Sequence, residues 1–158
     1  MFNFLRTKNQ PELATSRLFD EKTFYEAFIY DLSKAKKEVI IESPYITKER
    51  MKLFWPVFDK LLLKEVKIYI MTRSPKEHEP FMATQSEAEI KNFEVCGVQT
   101  LICSGNHHRK LAILDRKILW EGSLNILSQG YSREIMRRIE GEKLTKQMFN
   151  FLKLSEFI

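Results

Sequence analysis

Six residues at fixed spacing carry the chemistry that this sequence offers. His108 and Lys110 stand two apart, Asp115 follows, and Gly122, Ser123 and Asn125 come after six intervening residues. Side chains two apart on an extended chain share a face, so His108 and Lys110 are expected to project together, an imidazole beside a cation. Asp115 lies an odd number of residues away and would face the other side, which suits an orienting or structural carboxylate better than one touching substrate. Gly122 permits a tight turn, and Ser123 and Asn125 supply small donors for phosphate oxygens. A helix beginning after Asn125 would add backbone N–H groups. Such a constellation suits a phosphodiester, whose pentacoordinate transition state gathers negative charge where the cation and donors sit.

The segment His108-Arg109-Lys110-Leu111-Ala112-Ile113-Leu114-Asp115, with Gly122-Ser123-Leu124-Asn125 after it, fits His-x-Lys-x4-Asp-x6-Gly-Ser-x-Asn without a gap. It resembles the phospholipase D superfamily at every defining position. The resemblance implies an α/β fold with a mixed β-sheet flanked by α-helices, and metal-independent phosphodiester cleavage that needs no cofactor. One histidine attacks phosphorus to give a phosphohistidine, and a second, from another such motif, protonates the leaving oxygen. This chain has one motif, so the resemblance implies a homodimer with His108 of each subunit facing its mate across a two-fold axis. Two close imidazoles repel when both are charged, so the pair should titrate as a unit.

By the same resemblance Lys110, Ser123 and Asn125 bind phosphate. Glu134, in Ser132-Arg133-Glu134-Ile135-Met136, matches the acidic residue that hydrogen-bonds a catalytic histidine in many relatives, and it joins His108, Lys110 and Asp115 in the catalytic set. Ser43-Pro44-Tyr45 and Arg73-Ser74-Pro75 look like family loops at the ends of strands, where open α/β sheets bind ligands; ordinary turn residues are the plainer alternative. The stretch from Leu119 to Ser128 is similar to phospholipase D-like segments attached to helicases in multidomain bacterial proteins, which implies a helicase or other partner domain.

The elements that must position these residues follow from periodicity. Helical spacing runs from Asp20, placed to cap the first turn, to Lys37, and again from Thr47 to about Leu63, where Pro56 would kink or break the helix. Val39 to Ile41 and Val66 to Thr72 read as strands, Arg73 to Pro80 as a loop, and Phe81 to Val95 as a helix ended by Gly97. Short runs at Val98 to Ile102, Lys110 to Leu114, Lys117 to Trp120 and Ile135 to Ile139 read as closely spaced strands, and Glu142 to Phe157 as a last helix. One domain over 1–158 is expected, with residues 1–15 as a mobile arm.

Composition narrows the class. With 158 residues, 44% hydrophobic and 30% charged, the chain can bury a core and shows no low-complexity block. Its net charge of +5 favours polyanions, although a solvated surface slightly rich in lysine is the plainer reading of charge alone. No segment reaches the apolar length of a secretory or membrane-spanning stretch, so a soluble cytoplasmic protein without membrane association is expected. Cys96 and Cys103 suggest buried thiols rather than a disulfide framework, and their spacing to His107 and His108 matches no common zinc finger or ribbon. His78 and His107, taken singly, read as ordinary residues. Arg109 should face away as a solvated charge. Arg133, Arg137 and Arg138 form either a groove for nucleic-acid backbone or plain solvated strand positions.

The expected function is a homodimeric nuclease hydrolysing DNA, with RNA a further candidate substrate. Two rivals stand beside it: a phospholipase or phosphatidyltransferase, and a nucleic-acid-binding module of a larger repair or restriction system.

Overall fold

The short apolar runs become neighbours in a single sheet. In the computed structural model the described residues are 14–158. Seven strands, β1 (Thr15–Asp20), β2 (Glu38–Glu42), β3 (Lys67–Arg73), β4 (Gln99–Cys103), β5 (Leu111–Leu114), β6 (Ile118–Gly122) and β7 (Ile135–Glu140), lie in the order β1-β7-β6-β5-β2-β3-β4. The strands β2, β3 and β4 are parallel and are joined through the helices α2 (Lys48–Leu63) and α3 (Pro80–Cys96). From β5 onward every pairing is antiparallel, which fits the change from helix-separated to turn-separated runs in the sequence. The expected mixed sheet flanked by helices is the fold observed.

The two faces of the sheet divide the core. On one face Val39, Ile41, Ile68, Ile70 and Trp120 meet the helix α1 (Phe24–Ser33), α2 and α3 through Phe24, Phe28, Phe54, Phe58 and Phe93. On the other, Ile40, Tyr69, Met71, Leu111, Ile113 and Leu119 are covered by the helix α4 (Glu142–Phe151) and the following turn, through Phe149 and Leu154. Strands buried on both sides explain the near-continuous apolar runs in β2, β3 and β5. On the α1 face the buried Asp31 accepts from Trp120 Nε1 at 3.0 Å and from Arg138 Nε at 2.6 Å, so the indole donor and the carboxylate are both satisfied.

Several sequence expectations change in detail. Asp20 does not cap a helix: it ends β1 and accepts from the Thr23 hydroxyl at 2.7 Å and the Thr23 N–H at 2.9 Å, and α1 starts only at Phe24. The helix over Thr47 to Leu63 is present, with Thr47 accepting from the Arg50 N–H, and it runs unbroken through Pro56. Proline removes the bond to the carbonyl four residues back, which belongs to exposed Lys52 and can turn to water, while buried Met51, Phe54, Phe58 and Leu61 hold the helix in place. The last helix ends at Phe151, short of Phe157. Of the arm expected over residues 1–15, the part up to residue 13 lies outside the described residues, and β1 begins at Thr15. Cys96 is exposed rather than buried. Among the described residues no helix is long and apolar enough to cross a membrane.

The turn from β5 to β6 settles where Asp115 goes. Asp115 and Arg116 have positive φ angles of 51° and 55°, a conformation that non-glycine residues adopt at a cost. The Asp115 carboxylate accepts from the backbone N–H groups of Lys36, Lys37 and Glu38 at 2.8, 2.7 and 3.0 Å, pinning the turn to the chain that enters β2. We predict that Asp115→Ala lowers unfolding stability by about 1–3 kcal/mol in urea titration, because three donors lose a charged acceptor.

Candidate active site

The antiparallel hairpin of β5 and β6 folds the motif in half. Leu111 pairs with Glu121, and one step further the Gly122 N–H donates to the Lys110 carbonyl at 3.3 Å. The residues after β6 are thereby laid beside the residues before β5. Gly122 has a second task that the sequence reading attributed to a tight turn. A Cβ there would stand 2.1 Å from the Ile135 carbonyl and 2.9 Å from Met136 Cα, so the absent side chain lets β7 close against β6. Ser123 continues the contact, donating its N–H to Ile135 O at 3.0 Å and accepting from the Ile135 N–H on its hydroxyl at 3.2 Å. The serine hydroxyl proton remains to be given to a ligand.

His108 and Lys110 do project together, on extended chain just ahead of β5. Lys110 Nζ lies 2.6 Å from His108 Nδ1 and 2.8 Å from the His108 carbonyl. An ammonium can only donate, so the ring can meet it as an acceptor only while neutral. Burial first, and then the charges of Lys110, Arg73 and His107, hold the His108 pKa below the ordinary histidine value. Burial lowers the Lys110 pKa as well, opposed by the charge of Glu134.

These side chains open on a groove of about 920 Å³. His108, Lys110, Ser123, Asn125 and Glu134 line it, with Arg109 and Arg137 at its border and Leu18, Ile135, Met148 and Phe151 along an apolar part. Asn125 is held with its Oδ1 buried and without a hydrogen-bond partner. The helix expected after Asn125 is a single turn, in which the Ser128 and Gln129 N–H groups return to the Asn125 carbonyl at 3.1 and 2.8 Å. Asp115, at the other end of β5, is the motif residue that does not reach the groove. Within one chain Glu134 Oε1 accepts from the Ser132 hydroxyl at 2.7 Å rather than from His108.

Both strand-end loops support the site. The Ser43 hydroxyl accepts from the Leu127 N–H at 3.0 Å, tying the end of β2 to the loop after Asn125, and the Tyr45 ring meets the His108 ring edge-on at 6.3 Å. Glu77, in the turn after β3, accepts from the N–H groups of Gly105 and Asn106 at 2.7 and 3.1 Å, while Arg73 reaches Asn106 Oδ1 at 2.6 Å. His78 lies against Tyr45 at 4.9 Å.

Two arginine expectations need correction. Arg109 is more than a solvated charge: its side chain stays 44% exposed, but its Nε donates to the fully buried Glu42 at 2.6 Å. The basic cluster divides, since strand alternation sends Arg137 to the groove and Arg138 to Asp31 on the opposite face. Sequence reasoning missed Glu42 and Glu77 as support; a charged residue closing the apolar run Val39-Ile40-Ile41 was the one signal available for Glu42. Among the described residues no group of three or more His, Cys, Asp and Glu side chains is placed to hold a metal ion.

Comparison with known proteins agrees with this arrangement. The model of the family described as cardiolipin synthase, PLD-like domain, matches residues 28–153. No curated protein matches the sequence significantly. Among solved structures, the phospholipase D family member Nuc from Salmonella typhimurium superposes with a TM-score of 0.72 at 14% identity, covering 89% of this chain and 92% of its own. NucT from Helicobacter pylori gives 0.67 at 18% identity, with 89% and 94% covered. A phosphatidylserine synthase from Haemophilus influenzae gives 0.60 at 12% identity, with 89% of this chain but 38% of its own covered. At these identities the likeness is one of fold.

The groove geometry makes two predictions. Lys110→Met should raise the His108 pKa, measured by NMR titration of the ring, since the variant removes a repelling cation, while burial, the larger cause, still holds it below the ordinary histidine value. Gly122→Ala should destabilise by about 1–3 kcal/mol in urea unfolding, because the new methyl meets the backbone of β7.

Proposed function

The chain belongs to the phospholipase D-like family, and from that premise we propose that it is a phosphodiesterase acting on nucleic acid, DNA first and RNA second, through a homodimeric active site. The observation that carries the proposal is the His108 ring held against Lys110 at a groove that Ser123 and Asn125 also line, with the Ser123 hydroxyl accepting from Ile135 and its proton left to donate. In this mechanism Lys110 turns from the ring to the phosphate, which frees the single lone pair of the neutral His108 imidazole to attack phosphorus, and Lys110, the Ser123 hydroxyl and the Asn125 amide N–H groups take the growing charge on the phosphate oxygens. His108 of a second copy gives its proton to the leaving oxygen, and water then hydrolyses the phosphohistidine.

The dimer is supported by what surrounds His108. Leu18, Ile135 and Phe151, which are 63%, 61% and 81% exposed, lie along the same groove, and a second copy would cover them while completing the histidine pair. The role carried over for Glu134 is then met between subunits, since its Oε1 is engaged by Ser132 and Oε2 remains for a histidine across the axis. The choice of nucleic acid rests on the net charge of +5 and on the correspondence of this domain with nearly the whole of Nuc and NucT. A phospholipid substrate is the second reading, favoured by the apolar part of the groove and by the cardiolipin synthase description of the family.

One assay separates these readings. Purified protein in EDTA is incubated with labelled single- and double-stranded DNA, with RNA and with phosphatidylcholine vesicles, beside the His108→Ala variant. Cleavage of DNA should survive EDTA and fall by roughly a thousandfold or more in His108→Ala, with dimerisation unchanged by sedimentation. A strict need for a divalent ion, or headgroup release without nucleic-acid cleavage, contradicts the proposal. The kcat/KM profile should be bell-shaped. Its acidic limb should lie below the ordinary histidine value of about 6.5, because a lowered pKa keeps the nucleophile unprotonated as pH falls.

A further inference from the structure

We propose that Glu42 is a positioning residue that sets which way His108 and Lys110 face; the inference rests on the reading of His108 as nucleophile. The residues from 107 to 110 lie outside the β2–β5 ladder, whose last pair is Glu42 with Leu111. On this side the ladder does not fix the phase of that stretch. A single carboxylate does so in its place. Glu42 is fully buried at the end of β2, and its Oε2 accepts from Arg109 Nε at 2.6 Å. His107 Nε2 comes within 3.2 Å of the same oxygen, without hydrogen-bond alignment. The residues immediately before and after His108 thus both lie against Glu42, and Arg109 is the one bonded to it.

Alternation does the rest. With 109 bonded to Glu42 and 107 lying beside it, 108 and 110 project from the other side of an extended chain, which is where the Lys110 ammonium meets the His108 ring. A buried carboxylate loses its hydration and depends on the charge-assisted bond from Arg109, so the tether cannot be relaxed without leaving a charge unpaired. Glu42 Oε1 has no partner in the described structure, which places the whole of that dependence on Oε2. Glu77 and Arg73 secure the preceding residues 105 and 106, but Glu42 is the group that acts at the positions flanking the nucleophile.

The test uses Glu42→Gln, which keeps the volume and one acceptor oxygen but removes the charge. Turnover of a chromogenic phosphodiester should lose on the order of a hundredfold in kcat with KM within about threefold, as expected when a reacting group is misplaced by about an ångström. The His108 ring titration, followed by NMR, should move upward toward the ordinary value as the ring leaves its site beside Lys110. A general loss of stability would not move that titration in the folded protein. Arg109→Lys, which keeps a cation for the carboxylate and so protects the fold, should show a smaller loss of the same kind. An unchanged kcat and an unchanged His108 titration in folded Glu42→Gln overturn the proposal. Should the wild type turn over no phosphodiester at all, the nucleophile reading fails, and the ring titration alone decides the role of Glu42.

Discussion

A lysine ammonium 2.6 Å from an imidazole nitrogen makes protonation of that ring unfavourable, and the local arrangement serves this contact. A nucleophilic histidine must be neutral when it meets phosphorus, whereas the phosphate it attacks calls for nearby positive charge. Placing Lys110 against His108 would answer both needs of the proposed chemistry, since it sets a cation at the groove and, after burial, lowers the affinity of the ring for a proton. The contact lasts only if both side chains are held on one side of a short extended stretch.

The sheet supplies that hold from two directions. On the β6 side, the hairpin register and the bare Cα of Gly122 bring the motif's second half within one backbone hydrogen bond of Lys110. On the β2 side the parallel strands end at polar loops, and their side chains reach back to Asn106 and Arg109, on either side of His108. The site therefore stands where a parallel block meets an antiparallel one, which is a natural place for loops of different origin to converge.

Buried polar groups connect this region to the rest of the fold. Asp31 joins α1 to β6 and β7 through Trp120 and Arg138, Ser43 joins β2 to the loop after Asn125, and Arg50 of α2 donates to the Gln129 carbonyl at 2.6 Å. Each bond satisfies a donor or acceptor that burial would otherwise leave costly. Together they fix the loop carrying Asn125 without a long helix beneath it. Apolar burial of Phe24, Phe28, Phe54 and Phe58 supplies cohesion, and the polar bonds decide registry.

The sequence by itself determined what depends on local spacing. Apolar periodicity was enough for four helices and for six of the seven strands, and the interval between His108 and Lys110 was enough to place them together, because neighbours along a chain are tied by backbone geometry. It also kept Asp115 apart from His108. Only the tertiary structure decided what depends on residues distant along the chain. Glu42 reaches Arg109 across 67 positions and Asp115 reaches Lys36 across 79, and no periodic pattern records such pairings. The same holds for Gly122, whose need to be glycine comes from the Ile135 carbonyl pressing on it rather than from its own backbone angles. Short-range order is written in the alternation of polar and apolar residues, whereas the partners of buried charges are fixed only when the strands take their places in the sheet.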